Sequence, residues 1–243
     1  MGIDFEHSNP MQQINFGDVA VLKNLTTKTF CFDIVPETVT DDFNVLFDVN
    51  ASSAAGVSHG YFTLLATGKL RFIASWDGSV LDHAIWDADT AFVAGTHYKI
   101  CITYDNSSTS NNPIFYANGS SIALTETAAP AGSLSDSGGV TFFGGYVGTT
   151  NNFDGLISNI RVYNRILTAG EILDLHNGRG ASHNDYGLVF HVPCISAAGI
   201  QTFDGATLTT TSYVYDRING LKGTPAGNPL GVADTVLTYV DDH

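Results

Sequence analysis

Phe153-Asp154-Gly155-Leu156-Ile157-Ser158-Asn159-Ile160-Arg161-Val162-Tyr163-Asn164-Arg165-Ile166-Leu167-Thr168-Ala169-Gly170-Glu171-Ile172 reads as a turn, a strand, a corner and a capped helix. Asp154-Gly155 is a turn pair, because glycine tolerates positive φ and aspartate bonds its own backbone. From Leu156 to Tyr163 the apolar residues do not alternate cleanly: Ile157, Ile160 and Val162 are spaced three and then two. A period-2 strand keeps all three on one face only if one residue is inserted near Ser158-Asn159, as a β-bulge does. Thr168 precedes Glu171 by three, which is a capping box. Ile172, Leu173 and Leu175 supply a short apolar face and Gly178 the stop, so one helix of two to three turns is expected.

Working outward, strand signals recur at short intervals. Candidates are Val19–Leu22, Thr29–Val35, Asn44–Val49, Gly60–Ala66, Leu70–Trp76, Ala84–Trp86, Tyr98–Tyr104, Ile114–Ala117, Val140–Phe143 and Leu156–Tyr163. Turn residues punctuate them at Gly68-Lys69, Asp77-Gly78, Asn118-Gly119 and Gly144-Gly145. Many short strands at such spacing indicate an antiparallel sandwich, and Asn118-Gly119 suits a type I′ hairpin turn. Between Tyr104-Asp105 and that hairpin lies Asn106–Asn112, a polar loop whose tip should be mobile.

The run from Phe153 to Ile172 resembles the closing strand of the laminin-G-like (concanavalin A-like) jelly-roll family. A second resemblance is the hairpin Tyr104-Asp105 … Ile114-Phe115-Tyr116-Ala117-Asn118-Gly119. Together they cover roughly Phe16 to Gly178 and imply an all-β fold: an antiparallel two-sheet jelly-roll β-sandwich with one short helix after the closing strand. Residues 1–180 form the sandwich in this reading. Residues 181–243 are an extension. Within it, Leu188-Val189-Phe190-His191-Val192-Pro193 and Asp216-Arg217-Ile218-Asn219-Gly220 … Gly223-Thr224 resemble the opening of a unit in the same family, placed here after the closing helix. The extension either adds strands to the sandwich, forms a small lobe, or reaches onto a neighbouring subunit by strand addition.

Composition narrows the function classes. The chain has 243 residues, 44% hydrophobic and 14% charged, enough for a sizeable core and against disorder. Its net charge of −14 repels phosphate backbones and anionic headgroups, so nucleic-acid binding is not expected. No apolar run reaches the roughly 18 residues of a membrane span. Met1 to Pro10 lacks the basic and apolar regions of a secretory signal. The three cysteines, Cys31, Cys101 and Cys194, show no Cys-x-x-Cys spacing. An odd count favours buried free thiols over a disulfide framework or zinc, with a Cys31–Cys101 bridge left open.

Catalytic patterns are sparse. The family includes β-glucanases, which need two carboxylates flanking the scissile bond. The only glutamates are Glu6, Glu37, Glu126 and Glu171; none pairs with another on a strand, and Glu171 belongs to the capping box. There is no Gly-x-Ser-x-Gly elbow, and the eight histidines are scattered. The best glycan-binding stretch is Trp76 to Asp89, with Trp86, Asp82, His83 and Asp87 as candidates: aromatic faces stack on sugars, and Asp and His bond hydroxyls. Trp76 reads as core, since Leu70, Phe72, Ala74 and Trp76 alternate together; Trp86 is divided between core and surface. The resemblance also implies calcium, held by loop oxygens. Asp105, Asn106, Asp136 and Asp154 are the candidates, although Ser158 and Asn159 stand where many members carry an acidic residue.

Two function classes emerge, neither enzymatic. One is a structural surface protein, such as a virion (phage) decoration, head-fibre or tail-associated protein on the virion surface. It would bind capsid or tail proteins through the C-terminal segment and self-associate into a homo-oligomer. The other is a secreted or cell-surface carbohydrate-binding module that takes surface glycans.

Overall fold

The computed structural model describes residues 3–5, 13–39, 44–51, 60–77, 83–134, 139–145, 152–178, 185–193, 198–203 and 208–226. The chain begins with two short strands, β1 (Ile3–Phe5) and β2 (Gln13–Asn15). The long strands β3 (Thr27–Pro36), β4 (Asn44–Ala51), β5 (Gly60–Leu64), β6 (Lys69–Ser75), β7 (His83–Ala91) and β8 (Tyr98–Asp105) follow. Next come β9 (Ile114–Ala117), β10 (Ser120–Ile122), β11 (Leu124–Ala128), β12 (Val140–Phe143) and β13 (Gly155–Tyr163). The helix α1 (Ala169–His176) precedes β14 (Leu188–Val192), β15 (Ala198–Phe203), β16 (Leu208–Tyr215) and β17 (Lys222–Ala226).

The strands form two antiparallel sheets. Sheet A has the order β1-β13-β3-β8-β9-β10, with β14 also paired to β13; sheet B runs β11-β7-β6-β5-β4-β12-β2-β17-β16-β15. This is the jelly-roll sandwich expected from sequence. Its core is a run of rings contributed by alternate positions of both sheets. Phe62 stacks on Phe72 at 4.9 Å, Phe72 on Trp86 at 5.7 Å, and Trp86 meets Tyr104 of the opposite sheet edge-on at 5.1 Å. Such pairs add to the energy of their area burial.

The closing strand behaves as its spacing requires. Ser158 pairs with Asp33 and Arg161 with Cys31, so β13 gains one residue on β3 between them. Asn159 takes up the excess at φ 52°. Ile157, Ile160 and Val162 are consequently all buried against the core. Thr168 and Glu171 form the reciprocal capping box that starts α1, and Asn118-Gly119 turns the β9–β10 hairpin with both residues at positive φ.

The fold departs from the sequence reading in several places. Val19–Leu22, read as a strand, is a 3-10 turn over Ala20–Leu22. Val19 and Leu22 point inward while Val21 is exposed, a spacing of three that suits a 3-10 turn rather than alternation. Cys31 and Cys101, read as free thiols, form a disulfide. The residues stand directly opposite each other on β3 and β8, with Cα atoms 4.2 Å apart, as in a pair that exchanges no backbone hydrogen bonds. Cys194 lies outside the described residues. The C-terminal segment contributes paired strands among the described residues. β14 pairs with β13 in sheet A and β17 with β2 in sheet B. Asp216 ties the two additions together: its carboxylate accepts from the backbone N–H of His191 at 2.8 Å, of Ile218 at 3.1 Å and of Asn219 at 2.9 Å.

Candidate functional site

Side chains opposite the inward-facing Phe62, Phe72 and Trp86 line the outer face of sheet B, because successive residues of a strand alternate. At the end formed by β6, β7 and β11 this face carries a polar strip over an apolar floor. Ile73 lies between Tyr61 and Ile85 in one row. Arg71 and Asp87 stand opposite each other in the next. Arg71 donates from Nε to Asp87 Oδ1 at 2.6 Å and from Nη2 to Oδ2 at 2.7 Å, a bidentate pair. Thr127 Oγ1 donates to Asp87 Oδ2 at 3.1 Å, and Thr125 Oγ1 to Asp89 Oδ1 at 2.8 Å. Burial pushes the Asp87 carboxyl up, but the hydrogen bonds and charge of Arg71, joined by Thr127, outweigh it and hold the carboxyl below its ordinary value. The strip therefore presents ionised oxygen acceptors and hydroxyls beside Ile73, Ile85 and Tyr61, an arrangement suited to an amphipathic, hydroxyl-rich ligand.

The structure sorts the sequence candidates. Asp87 is in the strip, and His83 stands on the same face at the start of β7, opposite Ser75. Trp86 is not a surface residue. Its exposure is 0%, it sits between Phe72 and Tyr104, and its Nε1 donates to Asn112 Oδ1 at 3.0 Å. It shares the inward parity of Ala84 and Ala88, so no ring face is available to a sugar. The bond to Asn112 also pins the end of the Asn106–Asn112 loop. Asp82 lies outside the described residues. Arg71, Thr125 and Thr127 were missed. Arg71 had a signal, a charge out of phase with Leu70 and Phe72, but its partner could be named only once the β6–β7 register was known.

The calcium candidates do not converge. Asp105 pairs with Thr27 at one end of β3, whereas Gly155, next to Asp154, pairs with Pro36 at the other. The two ends of this ten-residue strand are nine rises apart, about 30 Å. Asp105 Oδ1 accepts from the Ser107 N–H at 3.0 Å. Asn106, with its amide turned to suit its neighbours, donates to the Thr26 carbonyl and accepts from Lys28 Nζ at 3.2 Å. A lysine ammonium beside the proposed ligand repels a divalent cation, so these residues do not fit calcium. Asp136 lies outside the described residues. Among the described residues no three His, Cys, Asp or Glu side chains gather as metal ligands.

The outer face of sheet A is different. Beneath α1, Cys31, Cys101, Tyr116, Tyr163, Leu167 and Ile172 form a second apolar cluster. Beside it a depression of about 20 Å³, room for one or two waters, is lined by Asp33, Lys99, Asn159, Arg161 and His176 with the disulfide. Two of its polar groups are engaged: Lys99 Nζ donates to the His176 carbonyl at 3.1 Å, and Arg161 Nε to Asn159 Oδ1 at 3.1 Å; His176 Nδ1 is buried without a hydrogen-bond partner among the described residues.

Known proteins share this fold. Residues 9–173 match the family model described as the concanavalin A-like lectin/glucanases superfamily. No curated protein matches the chain. A crystal structure of a provisionally assigned carbohydrate-binding protein from Bacteroides ovatus superposes with TM-score 0.61 at 18% identity. It covers 93% of this chain, which spans 59% of that protein's length. The native heptameric SAP-like pentraxin of Limulus polyphemus gives TM-score 0.54 at 15% identity, covering 90% of this chain and 93% of its own. The CBM40 of a Ruminococcus gnavus sialidase, bound to α2,3-sialyllactose, gives 0.52 at 15% identity over 72% of this chain and 95% of its own. At these identities the likeness is one of fold, and the fold is lectin-like.

Proposed function

The chain belongs to the concanavalin A-like lectin/glucanases superfamily, and from that premise we propose that it is a non-catalytic carbohydrate-binding module. The observation that carries the proposal is the Arg71–Asp87–Thr127 strip, with Asp89–Thr125 beside it and Ile73, Ile85 and Tyr61 as its floor. The Bacteroides ovatus and Ruminococcus gnavus proteins, named for carbohydrate binding, support the same reading. Asp87 does not fit the general-acid role of a glycosidase. Glycoside cleavage needs a protonated carboxylic acid at the leaving oxygen, and Arg71 keeps Asp87 ionised.

The Cys31–Cys101 disulfide favours an oxidising location, outside the cytoplasm. It thereby supports the secreted or cell-surface reading over a virion protein assembled in the cytoplasm. Self-association belongs to the same proposal, since multivalency raises weak glycan affinities; the Limulus pentraxin is named as a heptamer. A glycan array is the test, with the full chain compared against Thr125→Ala and Asp89→Asn, two exposed positions that leave the core intact. The proposal expects saturable binding to at least one glycan, weakened several-fold by either substitution. Binding that ignores both substitutions would move the site elsewhere, and an array with no hits would remove the function.

A further inference from the structure

We infer that Tyr186 is a second carbohydrate contact, a stacking platform for the C–H face of a neutral pyranose. This deepens the carbohydrate-binding reading and rests on it. Single exposed apolar residues are ordinary on protein surfaces. Tyr186 is unusual in being 81% exposed and yet held in place.

The hold comes from the turn and from Arg165. Tyr186 is the second residue of the turn Asp185–Leu188, closed by the Leu188 N–H to the Asp185 carbonyl at 3.1 Å. Gly187 follows at φ +76°, as the third position of a type II turn requires. A side chain there would also press within 3.0 Å of Arg165. Arg165 Nε donates to the Tyr186 carbonyl at 2.7 Å, and its guanidinium carbon lies 5.4 Å from the Tyr186 ring centroid. Its remaining nitrogens bond Glu171 at 3.0 and 2.7 Å. The Arg165 backbone is itself anchored, its carbonyl accepting from Thr29 Oγ1 at 2.7 Å.

The backbone that carries the ring is thus fixed before any ligand arrives, and the Arg165 guanidinium lies over the ring, which lowers the entropic cost of binding. The ring carries the Arg165 guanidinium 5.4 Å from its centroid and is otherwise largely exposed among the described residues. The guanidinium charge is balanced by Glu171, and its presence behind the ring weakens the attraction of the ring for a cation. The net charge of −14 disfavours polyanionic sugars. A neutral pyranose, with an apolar face and hydroxyls at its rim, is the ligand that remains.

The test is tyrosine-selective ¹³C NMR of the full chain, titrated separately with methyl β-D-glucopyranoside, methyl α-D-mannopyranoside and methyl β-D-galactopyranoside. The Tyr186 ring signals, assigned by their loss in Tyr186→Ala, are expected to shift saturably with at least one sugar. Tyr186→Ala should then weaken that sugar by up to about tenfold, the range of a single aromatic contact, and Tyr186→Phe should restore it. Unmoved Tyr186 signals alongside a shifting Tyr61 ring on sheet B would overturn the platform and leave the module's function standing. Unmoved signals at both rings, with an array that shows no hits, would overturn both.

Discussion

On the outer face of sheet A, Cys31, Cys101, Tyr116 and Tyr163 are sealed beneath α1, whereas at one end of sheet B the outer face leaves Arg71, Asp87 and Thr127 bonding one another near solvent. Both faces come from the same period-2 alternation. One was given a helix, an apolar layer and a covalent bridge; the other a polar strip in which Asp89, Thr125 and Thr127 are exposed. The contrast assigns stability to the face of sheet A beneath α1 and recognition to the strip on sheet B, because a surface used for binding must stay uncovered; Tyr186, exposed beyond the helix, is the one contact proposed on the sheet A side.

The contrast breaks most visibly at the bridge. The disulfide closes a loop of 70 residues, so replacing both cysteines, Cys31→Ser with Cys101→Ser, should cost about 4 kcal/mol in urea unfolding by the chain-entropy relation. An unchanged midpoint would mean that sheet A is not held in this way. Next in size is the anchor of α1. The hydrogen bonds from Arg165, less the effect of burial and with help from the Thr168 cap, bring the Glu171 carboxyl from 4.5 to about 2. A depressed carboxyl stabilises the fold above its unfolded value and loses that contribution as pH falls through its folded one. The gap between the native chain and Glu171→Gln, about 1 to 2 kcal/mol near neutrality, should therefore shrink as pH falls from 4.5 towards 2; urea midpoints at several pH values measure it. The smallest effect sharpens the other side of the comparison. Thr125→Ala should change stability by no more than about 0.5 kcal/mol, as exposed substitutions do, while reducing glycan binding.

How far the sequence could be read follows the same division. The bulge at Ser158-Asn159 and the capping box at Thr168 were legible because each is local, a matter of spacing within a few residues. β10 and β11 escaped because Ser120–Ile122 and Leu124–Ala128 are mostly polar and exposed, with little alternation to betray a strand. The Cys31–Cys101 bridge and the Arg71–Asp87 pair depend on cross-strand register, which a single chain does not display. Trp86 misled for a related reason: its parity with Ala84 and Ala88 marked it as inward, but the Asp and His residues around it suggested a surface. The calcium candidates failed on distance, since residues that look equivalent as loop oxygens lie at opposite ends of β3.

Amide hydrogen exchange of the intact chain, with and without the strongest glycan from the array, tests the central claim most directly. The expected result is slowed exchange in β6, β7 and β11 on adding the glycan, with β3 and β8 unchanged. Protection confined to β3 and β8, with the Arg71–Asp87 strands unaffected, would contradict it.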